Sequence, residues 1–195
     1  MSISKDVKDV SYVSTYKQDM KVIYSWASIH RHLARMINDI QQDTPDFGHY
    51  PDDYIVTFPR GGLPISVILS HALHDVKILT MEEFVKLAVF QKKKFHQILV
   101  VDEISDSGTT IRDAINLITH LLSNASIWSE DRVPPLKTAT LCVRAGTRYI
   151  PNYYRTVILS NAWVVFPWEV LNPTLRKSWF QKVLEFFSQE KKVVI

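Results

Sequence analysis

Gln97-Ile-Leu-Val-Val-Asp-Glu-Ile-Ser-Asp-Ser-Gly-Thr-Thr-Ile111 decides how the chain is read. Ile98, Leu99, Val100 and Val101 form a short continuous apolar run, as expected of a strand buried on both faces. The run stops at Asp102 and Glu103. A small-residue loop follows, Asp106-Ser107-Gly108-Thr109-Thr110, and a helical pattern begins near Thr109. The order strand, acidic tip, loop, helix predicts an α/β sheet with its ligand outside the carboxyl ends of the strands. A tight loop there aims N–H groups at an anion, and the helix N-terminus adds its dipole. Ser107, Thr109 and Thr110 add hydroxyl donors. The loop therefore suits a phosphate monoester, and the acids suit hydroxyls or a hydrated cation. The plain alternative is an ordinary strand-to-helix turn with solvated acids.

A second strand–loop–helix precedes it. Tyr54 to Phe58 reads as a strand running into Pro59-Arg60-Gly61-Gly62, with Pro64 at a helix start and Ile65 to His74 as an apolar helix. Two glycines let the backbone approach a ligand, and Arg60 offers a forked donor pair to a phosphate.

Working outward, Tyr24 to Gln41 reads as a helix capped by Ser25, with Ile29, Leu33, Ile37 and Ile40 at helical spacing. His30, Arg31, His32 and Arg35 are expected mostly on its other faces, and the two histidines are not read as a metal pair. Thr44 to Asp53 is a loop and Val76 to Thr80 a strand. Met81 to Phe95 mixes helix formers with a basic cluster, Lys92-Lys93-Lys94. Thr109 to Leu122 is a helix, Ser123 to Leu136 a connection, Lys137 to Val143 and Tyr154 to Leu159 strands, and Pro173 to Lys191 a terminal helix. Residues 1–21 read as a loosely held polar arm.

With 46% hydrophobic and 22% charged residues, the chain is globular, and 195 residues suit one domain. A net charge of +3 gives no argument for nucleic acid. Cys142 is the single cysteine, so no intramolecular disulfide forms, in keeping with a reducing cytoplasmic setting. No apolar stretch is long enough to span a membrane, and no His/Cys cluster has metal-ligand spacing.

Apolar residues, two acids, a short spacer and Asp106-Ser107-Gly108-Thr109-Thr110 resemble the phosphoribosyl-pyrophosphate signature of the type I phosphoribosyltransferases. Arg60-Gly61-Gly62-Leu63, Val22 to Trp26 and Trp163-Val-Val-Phe-Pro-Trp-Glu169 resemble segments of bacterial xanthine-guanine phosphoribosyltransferases and related purine salvage enzymes, in the same order. The resemblance implies a three-layer, mostly parallel sheet with flanking helices and a small hood or flap, the hood spanning 144–170. It implies transfer of 5-phosphoribosyl from 5-phosphoribosyl 1-pyrophosphate to a 6-oxopurine, with Mg²⁺, by a homodimer or homotetramer. Residue by residue, it implies that Asp102 and Glu103 hold the ribose hydroxyls directly and through hydrated Mg²⁺. Asp106 is the general acid/base near the purine N7, and the loop 106–110 holds the 5′-phosphate. Arg60, Gly61 and Gly62 line the pyrophosphate site, where the family's peptide before the Arg position is often cis; Phe58–Pro59 and Pro59–Arg60 are both candidates here. Trp163 stacks on the base, the Val164 backbone reads its edge, and Glu169, replacing the family's Asp, touches the metal's water shell. Arg144 stands where the family usually has a lysine that donates to the purine O6. The family's mobile flap falls on 81–95, and a lysine from it is a candidate for pyrophosphate. The alternative is a regulator or RNA-binding protein that keeps the fold and senses the sugar pyrophosphate.

Overall fold

The computed structural model describes residues 11–13, 21–124, 134–159 and 162–169. The expected terminal helix at 173–191, most of the expected arm and the middle of the 123–136 connection lie outside them.

Five parallel strands form the central sheet: β3 (Asp53–Thr57), β4 (Lys77–Thr80), β5 (Gln97–Ser105), β6 (Leu136–Arg144) and β7 (Thr156–Ile158), in the order β4-β3-β5-β6-β7. Side chains alternate across a strand, and β5 divides accordingly. Leu99 and Val101 join one core cluster with Ile29, Leu33, Met36 and Ile40 of α1 (Trp26–Asp43) and Ile65 and Leu69 of α2 (Gly62–Ala72). Ile98 and Val100 join the other, with Phe84 and Ala88 of α3 (Met81–Val89) and Ile118 and Leu122 of α4 (Thr109–Asn124). The result is the expected helix–sheet–helix stack. It explains why the β5 run is apolar without alternation: both faces are covered.

Ser25 caps α1 as expected, its Oγ accepting from the Ser28 N–H at 3.1 Å. One detail differs from the sequence reading. His32 is buried, edge-on to Tyr24 with ring centroids 5.9 Å apart, because it falls on the stripe that Ile29 and Met36 define. His30, Arg31 and Arg35 do lie on the exposed side.

A second, three-stranded sheet stands beside the first. Part of the supposed arm, Ser11–Val13, is strand β1, antiparallel to β2 (Lys21–Ile23). That strand in turn runs parallel to β8 (Trp163–Val165), with Val22 opposite Val164. Under it an aromatic ladder packs: Tyr24 on Phe166 at 5.4 Å, Phe166 on Trp168 at 4.9 Å and 2° between planes, and Trp168 beside Trp26 at 5.7 Å. Among the described residues no helix is long and apolar enough to cross a membrane.

Candidate active site

The acids belong to a longer strand than the apolar run suggested. Pairing with β6 continues beyond Val101, setting Asp102 opposite Thr140, Ile104 opposite Cys142 and Ser105 opposite Val143. Asp102 is therefore inside the sheet's carboxyl edge, only 9% exposed. Burial first, then the neighbouring Glu103, pushes its carboxyl up to about 9, while its Oδ1 accepts the Glu103 N–H at 2.9 Å. The folded protein thus holds a proton that the unfolded chain gives up near its ordinary 3.8. Stability from this group consequently falls as pH rises from that value towards about 9. Asp102→Asn carries no such proton. Its unfolding temperature is expected to vary less with pH over this range and to exceed wild type at the alkaline end. A variant that tracks wild type throughout would mean Asp102 is already ionised.

The glycine turn presses against these acids. The Gly62 N–H closes it on the Phe58 carbonyl at 3.1 Å, and the cis peptide is Pro59–Arg60. A Cβ on Gly61 would stand 1.8 Å from the Glu103 carboxylate; one on Gly62 would stand 2.6 Å from the Val101 carbonyl oxygen. At Gly62 the neighbour is backbone, so only glycine lets the turn sit this close; at Gly61 the Glu103 side chain would have to swing away. Arg60 is exposed at its rim. Glu103 Oε2 is buried without a hydrogen-bond partner among the described residues. An acceptor left so costs free energy unless a donor or cation arrives.

Beyond Ser105 the chain turns into α4 through Gly108, at φ +78°. Ser107 Oγ lies 3.1 Å from Thr109 Oγ1 and accepts the Thr109 N–H at 3.3 Å. The loop after β6 braces this bend. Ser105 Oγ donates to the Tyr149 carbonyl at 2.7 Å and lies 3.1 Å from Thr147 Oγ1, and the Arg148 N–H donates to the Ser107 carbonyl at 3.0 Å. A Cβ on Gly108 would meet the Tyr149 nitrogen at 2.5 Å. Sequence reading missed Thr147 and Tyr149 as supports. Their position just past the neighbouring strand's carboxyl end was the available signal.

Arg144 closes β6. Its Nε donates to Asp106 Oδ1 in an ion pair, and its Nη1 donates to the Ala162 carbonyl at 3.0 Å. The guanidinium thus spans from the phosphate-type loop to the residue before Trp163. Asp106 keeps 59% of its side chain exposed and Arg144 19%. Trp163 is 69% exposed, whereas Trp168 packs inward. Val164 is buried within the small sheet.

No family model matches the chain. It is 26% identical over 159 residues to the xanthine-guanine phosphoribosyltransferase of Cereibacter sphaeroides, covering 75% of this chain and 85% of that protein. Among solved structures it superposes on the purine phosphoribosyltransferase from Pyrococcus horikoshii with a TM-score of 0.56 at 23% identity, covering 77% of this chain and 95% of that one. It superposes on the Helicobacter pylori xanthine-guanine-hypoxanthine phosphoribosyltransferase with a TM-score of 0.60 at 19% identity, covering 80% and 96%. The fold is that of the purine phosphoribosyltransferases.

One expectation drawn from the phosphoribosyltransferase resemblance does not hold. Residues 81–95 are not a flap over the site. Thr80 and Glu83 form a capping box, and Phe84 of the helix they start is fully buried against the sheet. The lysine cluster follows this helix to the wrong end. Lys93 pairs with Asp52 at 2.5 Å, just before β3 begins. A nine-residue β5 therefore separates the cluster from Asp106, roughly 25–30 Å at strand rise. Glu169 Oε2 accepts the Phe166 N–H at 3.1 Å in a turn. The structure does not gather it with Asp102 and Glu103: no group of three acid, His or Cys side chains suited to a metal occurs among the described residues. The large cleft lined by Asp43, Asp46, His96 and Lys137 is likewise at the amino ends of the strands and carries none of the candidate site residues.

Proposed function

We propose that the protein transfers the 5-phosphoribosyl group of 5-phosphoribosyl 1-pyrophosphate to a 6-oxopurine (guanine, xanthine or hypoxanthine), releasing pyrophosphate. The observation that carries this reading is the convergence at one sheet edge. The Gly61–Gly62 turn, the acids Asp102 and Glu103 and the Gly108 loop meet there, with Asp106 and Arg144 paired beside the segment bearing Trp163.

Each part has a task. The N–H groups and hydroxyls of Ser107, Thr109 and Thr110, with the α4 dipole behind Gly108, take the 5′-phosphate. Asp102 and Glu103 accept the ribose hydroxyls. Arg60, with the backbone of Gly61 and Gly62, takes the pyrophosphate, where a planar fork is worth more than a point charge. Trp163 gives the base a stacking face. β8 is the outer strand of its sheet, so one row of its backbone groups, Val164 included, is not used in pairing and suits the base edge.

The acids also fit Mg²⁺. A buried Glu103 oxygen with no hydrogen-bond partner among the described residues, next to the Asp102 carboxyl, makes a hard-oxygen pair suited to a cation. Asp102 and Glu103 are its holders, directly or through water. When bound, Mg²⁺ supplies charge neutralisation to the departing pyrophosphate. Glu169, its Oε2 held by the Phe166 N–H, would reach the ion only through its water shell, by Oε1.

Asp106 holds or relays the proton that moves on the purine imidazole as the new bond to C1 forms and the bond to pyrophosphate breaks. In the free protein that carboxylate is tied to Arg144. A 6-oxo group offers Arg144 a replacement acceptor and releases Asp106 for the ring nitrogen. A 6-amino group offers only donors and leaves the pair closed. Arg144→Lys is expected to shift preference among guanine, hypoxanthine and xanthine by several-fold in kcat/KM. Identical ratios for all three would mean Arg144 does not read the base. Trp163→Ala should raise KM for the base by roughly 5- to 150-fold, the equivalent of a stacking loss of about 1–3 kcal/mol. An unchanged KM would place the base elsewhere.

The test of the reading is pyrophosphate release from the sugar pyrophosphate and Mg²⁺ with guanine, hypoxanthine, xanthine, adenine and uracil in turn. Release with a 6-oxopurine and not with uracil is expected. Release with none, despite tight binding of the sugar pyrophosphate, would favour a regulatory protein of the same fold. Assembly as a homodimer or homotetramer in the cytoplasm belongs to the same reading.

A further inference from the structure

We infer that His49 and His74 form a binding site for one divalent transition-metal ion of the Zn²⁺, Ni²⁺ or Cu²⁺ class, at the opposite end of the sheet from the phosphoribosyl site. Their Nε2 atoms are 3.1 Å apart, with ring centroids at 4.4 Å and planes at 77°. Two imidazole nitrogens bound to one ion at about 2.0–2.1 Å stand roughly 2.9 Å apart at a right angle and about 3.4 Å apart in a tetrahedron. The observed separation falls inside that window, so the rings need only turn their lone pairs towards a common point. Both rings are exposed, and neither has another hydrogen-bond or ion-pair partner among the described residues.

The backbone is built to bring them together. Gly48, just before His49, has φ +94°, and a Cβ there would stand 2.2 Å from the Leu73 carbonyl oxygen, so only glycine lets this loop meet the turn after α2. On the other side, His74 and Asp75 hold φ values of +62° and +56°, a region that non-glycine residues enter at a cost. Buried Asp53 fixes the loop, its Oδ2 accepting the N–H groups of Gly48 at 2.8 Å and Tyr50 at 3.3 Å. Three special backbone positions therefore deliver two surface imidazoles tip to tip.

Imidazole suits Zn²⁺, Ni²⁺ and Cu²⁺, and not Mg²⁺, so this site is chemically separate from the acids at the other edge. No third His, Cys, Asp or Glu among the described residues completes the shell, which leaves the remaining positions to water. The ion would clip the loop before β3 to the end of α2, whose beginning carries Gly62.

The test is a titration of the full, tag-free chain with Ni²⁺ or Zn²⁺, followed by calorimetry and by the imidazole nitrogen resonances. One equivalent is expected to bind and to move the Nε2 signals of His49 and His74 together, with no such change for Mg²⁺. His49→Gln and His74→Gln are each expected to weaken binding at least tenfold without altering the circular dichroism. The inference is overturned if the double variant binds as wild type does. It is equally overturned if wild type binds no ion and the two rings only share a proton.

Discussion

Asp106→Asn is expected to lower kcat by about 10²–10⁴, the usual worth of a positioned proton-transfer group, while KM for the sugar pyrophosphate changes by no more than a few-fold. Asparagine keeps the shape and can still accept from Arg144 Nε, the contact the wild-type carboxylate makes. In the proposed mode the 5′-phosphate is held by neighbouring N–H groups and hydroxyls that the substitution leaves in place. What is lost is a proton acceptor beside the ring nitrogen. A loss confined to kcat assigns Asp106 to the chemical step. Unchanged turnover would remove that role, and a large rise in KM alone would make Asp106 a binding residue. Combining it with Arg144→Gln separates the pair further. If Arg144 acts through Asp106, the double variant should be little worse than Asp106→Asn, since residues that work as a unit are not additive.

Gly108→Ala should have the next largest effect, on affinity and on stability together. The new Cβ meets the Tyr149 nitrogen at 2.5 Å and Thr147 Oγ1 at 2.7 Å, at a φ of +78°. The first of these is backbone and cannot swing aside. The bend must move off the Thr147–Tyr149 brace, and its N–H groups move with it. A cost of about 1–3 kcal/mol in stability follows, together with at least a tenfold rise in KM for the sugar pyrophosphate, where each tenfold is about 1.4 kcal/mol. Gly146→Ala is the control, because its φ is +87° with nothing within 4 Å of the added carbon. If both variants behave alike, the brace does not shape the phosphate loop.

The parts of the fold legible in the sequence were those with local causes. Ser25 before an apolar stripe gave the α1 cap. The unbroken Ile98–Val101 run gave a strand covered on both faces. Hydroxyls around Gly108 gave the loop. Failures came where a partner far along the chain decides the outcome. Strand β5 outlasts its apolar run because β6 pairs with it as far as Ser105. His32 is buried because of the stripe it shares and the Tyr24 ring beside it, not because of its polarity. Lys93 is drawn to Asp52, at the end of the sheet away from the site. The site itself divides the same way. Residues 102–110 were readable as a motif, and so was the 60–62 turn. The grip of Arg144 on Asp106, and that of Tyr149 on Ser105, joins residues 38 and 44 positions apart, and no spacing rule reports it.

The most direct test of the central claim is a crystal structure of the protein with a purine nucleoside monophosphate. The account predicts the 5′-phosphate against the N–H groups of residues 107–110, the ribose hydroxyls on Asp102 and Glu103, and the base over Trp163 with Arg144 drawn off Asp106. A nucleotide bound elsewhere, with the Gly108 loop unliganded and Arg144 still on Asp106, would contradict it.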